Sequence, residues 1–156
     1  RVRRVTPVNP RQAPPVKLGV VANEFFDPAV SRVGGFGFAA QQAMGVFLED
    51  PSLGVEPVCL PGRKLTFPDP ADPRAHGVRA VPYPRGKGAA ERAAHRAALR
   101  AERPDVLLTI DYRPSYDGVL RALRRTPTIV WVRDPRTPED WRMIDTLRIP
   151  GAGDVR

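Results

Sequence analysis

The sequence predicts a doubly wound α/β domain, a mostly parallel sheet with helices on both faces. Three observations carry that reading. Short apolar runs rich in β-branched residues recur along the chain, at Val16–Ala22, Val55–Leu60, Asp105–Ile110 and Thr128–Val132, as expected of strands buried on both faces. Segments with helical spacing or high helix propensity alternate with these runs. Finally, Asp105 to Val132 holds strand, helix and strand in about 28 residues, the size of a βαβ unit, whose crossover is right-handed.

Taken in order, residues 1–15 are rich in Pro and Arg and poor in large apolar groups, which predicts a flexible basic tail. The first strand follows at Val16–Ala22. After a turn region, Phe38–Leu48 reads as a helix whose inner face carries Ala39, Ala43, Val46 and Phe47. The second strand is Val55–Leu60. Between Pro61 and Gly88 the pattern is broken by Pro and Gly, with short strand candidates at Lys64–Phe67 and Val78–Val81.

Ala89–Ala101 is alanine-rich and helical in propensity. Pro104 ends it, because the residue before a proline resists the helical region. Ser115 is a candidate N-cap for a helix over Tyr116–Arg124, with Val119, Leu120 and Leu123 facing inward. Trp131 alternates with Val130 and Val132 and is expected in the core. A last helix starts at Thr137 with Pro138 at its first position and Glu139 and Asp140 in its first turn; Trp141 on it is expected to pack. The folded unit thus spans residues 16–150, and 151–156 read as a linker or tail.

Composition narrows the function classes. With 156 residues and 42% hydrophobic content the chain is long enough to bury a core. No run approaches the roughly 20 apolar residues of a membrane span, and no signal peptide is legible behind Arg1-Val2-Arg3-Arg4. The single cysteine, Cys59, excludes an internal disulfide, suits a reducing, cytoplasmic compartment, and reads as a buried structural thiol. A net charge of +8 invites anionic partners. The basic residues are mostly Arg and are spread out, with clusters at Arg1–Arg4, Arg85–Lys87 and Arg121–Arg125. No aromatic-interleaved patch accompanies them, so a nucleic-acid role is disfavoured. A peripheral contact with anionic lipid through the basic tail fits the charge. His76 and His95 stand apart from each other and from Cys59, so no metal-ligand spacing exists.

The most informative motif is Gly34-Gly35-Phe36-Gly37, between the first strand and the first helix. Glycines there allow a close backbone approach to a ligand at a helix N-terminus, or equally a tight strand-to-helix turn with nothing bound. The motif lacks the Lys-Ser/Thr ending of a Walker A loop. It also lacks the third glycine and the acidic strand end of a dinucleotide fingerprint, Gln41 and Gln42 standing where that glycine belongs.

With these elements in place, the stretch from Val16 to about Leu147 resembles the N-terminal domain of GT-B glycosyltransferases, family 4 above all. The resemblance rests on a first strand, the GGxG loop feeding a helix, and later strands running into Asp111 and Asp134. It implies a Rossmann-like acceptor-side domain of an enzyme that moves a sugar, such as a hexose, from a nucleotide sugar to an acceptor with retention. It further implies that Gly34, Gly35, Phe36 and Gly37 meet the donor diphosphate, and that no cofactor is held permanently. The partners it implies are a nucleotide sugar, a glycan or lipid acceptor, and a C-terminal donor-binding domain. That half of the fold, with its paired glutamates, is not contained in these residues, so the chain alone is expected not to catalyse transfer.

Ligands of open α/β sheets bind beyond the carboxyl ends of the strands. Those ends carry Asn23 and Glu24, then Asp111, Tyr112 and Arg113, then Arg133 and Asp134. Asp134 reads as a hydrogen-bond partner for an acceptor hydroxyl, and Arg113 or Arg133 as a phosphate contact. Each reads equally as a surface ion pair or a loop cap. Many family members place a sugar-contacting histidine where Arg133 and Asp134 stand. Tyr112 is a candidate for stacking on a sugar ring, and Tyr116 for core packing. No catalytic residue and no metal ligand is assigned. A non-catalytic Rossmann-like module binding a nucleotide or a protein is the alternative.

Overall fold

A computed structural model describes residues 14–23, 35–62, 77–84, 86, 88–111, 113–132 and 137–139. Among these residues five strands form one sheet: β1 (Val16–Val21), β2 (Val55–Leu60), β3 (Arg79–Ala80), β4 (Val106–Ile110) and β5 (Thr128–Trp131). Its order is β3-β2-β1-β4-β5 and every pair is parallel. This is the strand order of a Rossmann-like doubly wound fold. Helix α1 (Gly35–Glu49) connects β1 to β2, α2 (Ala89–Glu102) connects β3 to β4, and α3 (Asp117–Ala122) connects β4 to β5.

Strand pleat sorts the core into two layers, because successive side chains point to opposite faces. On one face Leu18, Val20 and Ala22 from β1 and its end, with Cys59 and Ile110, pack against Ala39, Ala40 and Met44 of α1. On the other, Val21, Val58, Leu60 and Leu107 meet Leu99 of α2 and Val119, Leu120 and Leu123 around α3. Cys59 is a buried free thiol within the first layer, and Tyr116 is buried in the second.

Gly19 in the central strand faces the second layer. A Cβ at that position would stand 2.7 Å from Leu60 Cδ1, 2.8 Å from Leu107 Cδ2 and 3.1 Å from Pro104 Cβ. The missing side chain lets leucines from both neighbouring strands close over β1. Pro57 inside β2 is tolerated for a related geometric reason. The Cys59 carbonyl accepts from Val81 N–H on the β3 side, so the absent N–H of Pro57, two residues earlier, turns to that side too. Pairing with β3 starts only at Val58, so no ladder bond is lost.

At the amino end of the sheet, Asp105 locks β1 to β4. Its Oδ2 accepts from Lys17 N–H at 2.8 Å and its own N–H donates to the Lys17 carbonyl at 2.9 Å. The Lys17 ammonium donates to the Glu102 carbonyl at 2.9 Å, closing the end of α2 onto β1.

Four expectations are corrected. Helix α1 begins at Gly35, inside the glycine motif, rather than at Phe38. Its inner face is set by Ala39, Ala40 and Met44, with Phe47 packed against them, while Val46 is exposed; the buried stripe follows the i, i+4 pair Ala40 and Met44. Ser115 does not cap a helix. A 3-10 turn over Pro114–Tyr116 precedes α3, the N-cap is Tyr116 without a side-chain bond, and α3 ends at Ala122 rather than Arg124. Trp131 is not core but 44% exposed, beside Ile129 at 55%: among the described residues β5 pairs only with β4 and is an edge strand. The expected strand at Lys64–Phe67, the tail 1–13, the final segment 151–156 and Trp141 lie outside the described residues. Pro138 and Glu139 are helical, where the last helix was expected to start.

Gly19→Ala is expected to destabilise the domain by about 1–3 kcal/mol through overpacking of Leu60 and Leu107. Urea unfolding checks it, and an unchanged midpoint would show that the two leucines relax freely.

Candidate functional site

The strand order changes direction between β1 and β4, and the crevice beyond their carboxyl ends is where ligands of such sheets bind. Asn23, just past β1, is 1% exposed. Its Oδ1 accepts from Gly62 N–H at 3.0 Å, and its Nδ2 donates to the Ser115 hydroxyl. One buried amide thus ties the ends of β1, β2 and β4 together. Gly62 is held so tightly that a Cβ there would meet the Ser115 carbonyl oxygen at 2.4 Å and Asn23 Oδ1 at 2.9 Å.

Across the crevice, Asp111 follows β4 and is 1% exposed. Its φ is +60°, one of two non-glycine residues with positive φ among the described residues. Aspartate tolerates this left-handed conformation better than most residues. Its N–H donates to the Trp131 carbonyl at 2.8 Å, so the β4–β5 ladder continues into the turn. Two residues earlier, the Thr109 hydroxyl is buried with no hydrogen-bond partner.

Gly35, Phe36 and Gly37 form the first turn of α1, which follows β1 at this same edge, and Gly37 is buried. Of the expected cleft residues, the structure brings Asn23 and Asp111 to the two sides of the crevice. Arg113 is half-buried at the start of the 3-10 turn. Gly34, Glu24, Tyr112, Arg133 and Asp134 lie outside the described residues.

Beside the crevice, on the α2–α3 face, lies a pocket of about 190 Å³ lined by Gly62, Tyr83, Arg92, His95, Arg96 and Gly118. None of these residues was singled out as a site residue. His95 Nδ1 lies 3.1 Å from the Pro82 carbonyl, and the Tyr83 ring meets the imidazole edge-on with centroids 5.1 Å apart. The ring is therefore fixed by a backbone acceptor and an aromatic wall. The spacing of Arg92, His95 and Arg96 along one helical face is the only sequence signal for it; Tyr83 arrives from a loop that carries no periodicity. Among the described residues, no three His, Cys, Asp or Glu side chains gather as metal ligands, and no helix is long and apolar enough to cross a membrane.

Compared with known proteins, the chain matches no family model, no curated protein and no solved structure.

Two substitutions test the geometry of this edge. Asn23→Ala leaves the Gly62 N–H without its acceptor and is expected to cost about 1–3 kcal/mol in chemical denaturation. Thr109→Val keeps the shape and removes an orphaned hydroxyl, so it is expected to stabilise the domain by about 1 kcal/mol. A loss of stability in the valine variant would mean that the hydroxyl is satisfied in solution.

Proposed function

We infer that this domain is the acceptor-side half of a retaining glycosyltransferase that uses a nucleotide sugar. The observation that carries the reading is the crevice itself: a 3-2-1-4-5 parallel sheet whose switch point is flanked by buried Asn23 and Asp111. Helix α1 opens there in the glycine motif, and its first backbone N–H groups suit a diphosphate. The adjoining pocket supports the acceptor side of the reading, since Tyr83 and His95 offer ring faces to a sugar and Arg92 and Arg96 offer charge to an anionic acceptor.

In this reading the domain binds and positions, and a donor-binding domain facing the crevice supplies the remaining groups. Asp111 accepts a hydrogen bond from an acceptor hydroxyl. The enzyme works in the cytoplasm at the inner face of the membrane, where a lipid-linked acceptor and the net charge of +8 would meet.

The coding sequence beyond Arg156 is expected to encode a second α/β domain with paired glutamates. In the enzyme containing both, Asp111→Gly retains the φ of +60° while deleting the carboxylate. It is expected to lower kcat/KM by about tenfold to a hundredfold, and urea unfolding of the same variant separates that loss from any loss of stability. Sugar transfer by residues 1–156 alone would overturn the reading. So would a continuation lacking a second domain, which would favour a non-catalytic binding module.

A further inference from the structure

The opposite edge of the sheet carries a second concavity. Helices α2 and α3 both run from the carboxyl edge back to the amino edge, so their C-termini meet there. Between them lies a groove of about 490 Å³ lined by Arg100, Arg103, Arg121, Arg124 and Arg125. The Arg100 Nε–H donates to the Ala122 carbonyl at 3.2 Å and joins the two helix ends. Arg121 is paired with Asp117 at 2.7 Å. Among the described residues, no carboxylate pairs with Arg103, Arg124 or Arg125. Glu102, the acid at the end of α2, is drawn away to Arg79.

Arg103 adds a second observation. It ends α2 in the left-handed conformation, with φ +47°, a place glycine ordinarily takes. A guanidinium is therefore kept at the groove despite a backbone conformation that disfavours it.

We propose that this groove is a binding site for a small ligand carrying several phosphate groups. Guanidinium forks match phosphate oxygens in pairs, and the volume is that of a small-molecule site. The groove is concave, and its five guanidinium groups outweigh the partial negative charge of the two helix C-termini that bound it. It lies at the sheet edge away from the crevice and stands independently of the glycosyltransferase reading.

The test is calorimetric titration of the chain with sodium tripolyphosphate. Binding is expected, together with a rise in Tm of about 4 °C or more at saturation. Losing each guanidinium is expected to weaken binding about tenfold, so Arg124→Ala with Arg125→Ala should weaken it about a hundredfold. Arg103→Gly is expected to raise the Tm of the free protein and weaken tripolyphosphate binding. Those opposed effects separate a binding role from a structural one. Removing Arg1–Arg4 should leave the affinity unchanged. The proposal is overturned by absent binding, by equal loss on removing that tail, or by groove arginines that matter for phosphatidylglycerol vesicles but not for tripolyphosphate.

Discussion

The architecture depends on the central strand being covered closely on both faces while paired on both edges. Gly19 makes that possible. Parallel strands lie close together, and the leucines of β2 and β4 that flank β1 must share one layer with α2 and α3. Any side chain at Gly19 would occupy the volume now filled by Leu60 and Leu107. The seating of α2 and α3 on the sheet rests on that contact.

Two kinds of polar lock hold the ends of the same strands. At the amino edge, Asp105 and Lys17 exchange backbone and side-chain bonds. At the carboxyl edge, the Asn23 amide reaches Gly62 and Ser115. Buried polar groups that are fully bonded specify geometry as well as adding stability. The edge that would receive a ligand is thus braced by a residue whose amide both donates and accepts across the strand ends.

The fold was largely legible in the chain because buried parallel strands are continuous apolar runs: Val55–Leu60 is read to the residue. Legibility failed where tertiary contacts outrank local preference. Ser115 has the chemistry of a cap, yet a distant amide claims its hydroxyl. Trp131 has the pattern of a core strand, yet β5 is an edge strand with an open face. The site was legible only in part. The rule that ligands sit beyond the carboxyl ends of strands led to Asn23 and Asp111. The bond from Asn23 to Gly62 crosses 39 positions, and the approach of Tyr83 to His95 depends on how a proline-rich loop returns. Neither leaves a periodic trace.

Asp111 sets a narrow choice of residues at the crevice. Its backbone adopts a conformation that glycine enters freely and that asparagine and aspartate tolerate, whereas β-branched and bulky residues are excluded. Of the three, aspartate alone brings a carboxylate. Substitution by drift at this position therefore passes through few amino acids, and nearly every step that keeps the fold alters the charge presented to a ligand. Backbone shape and site chemistry are inherited together at that one residue.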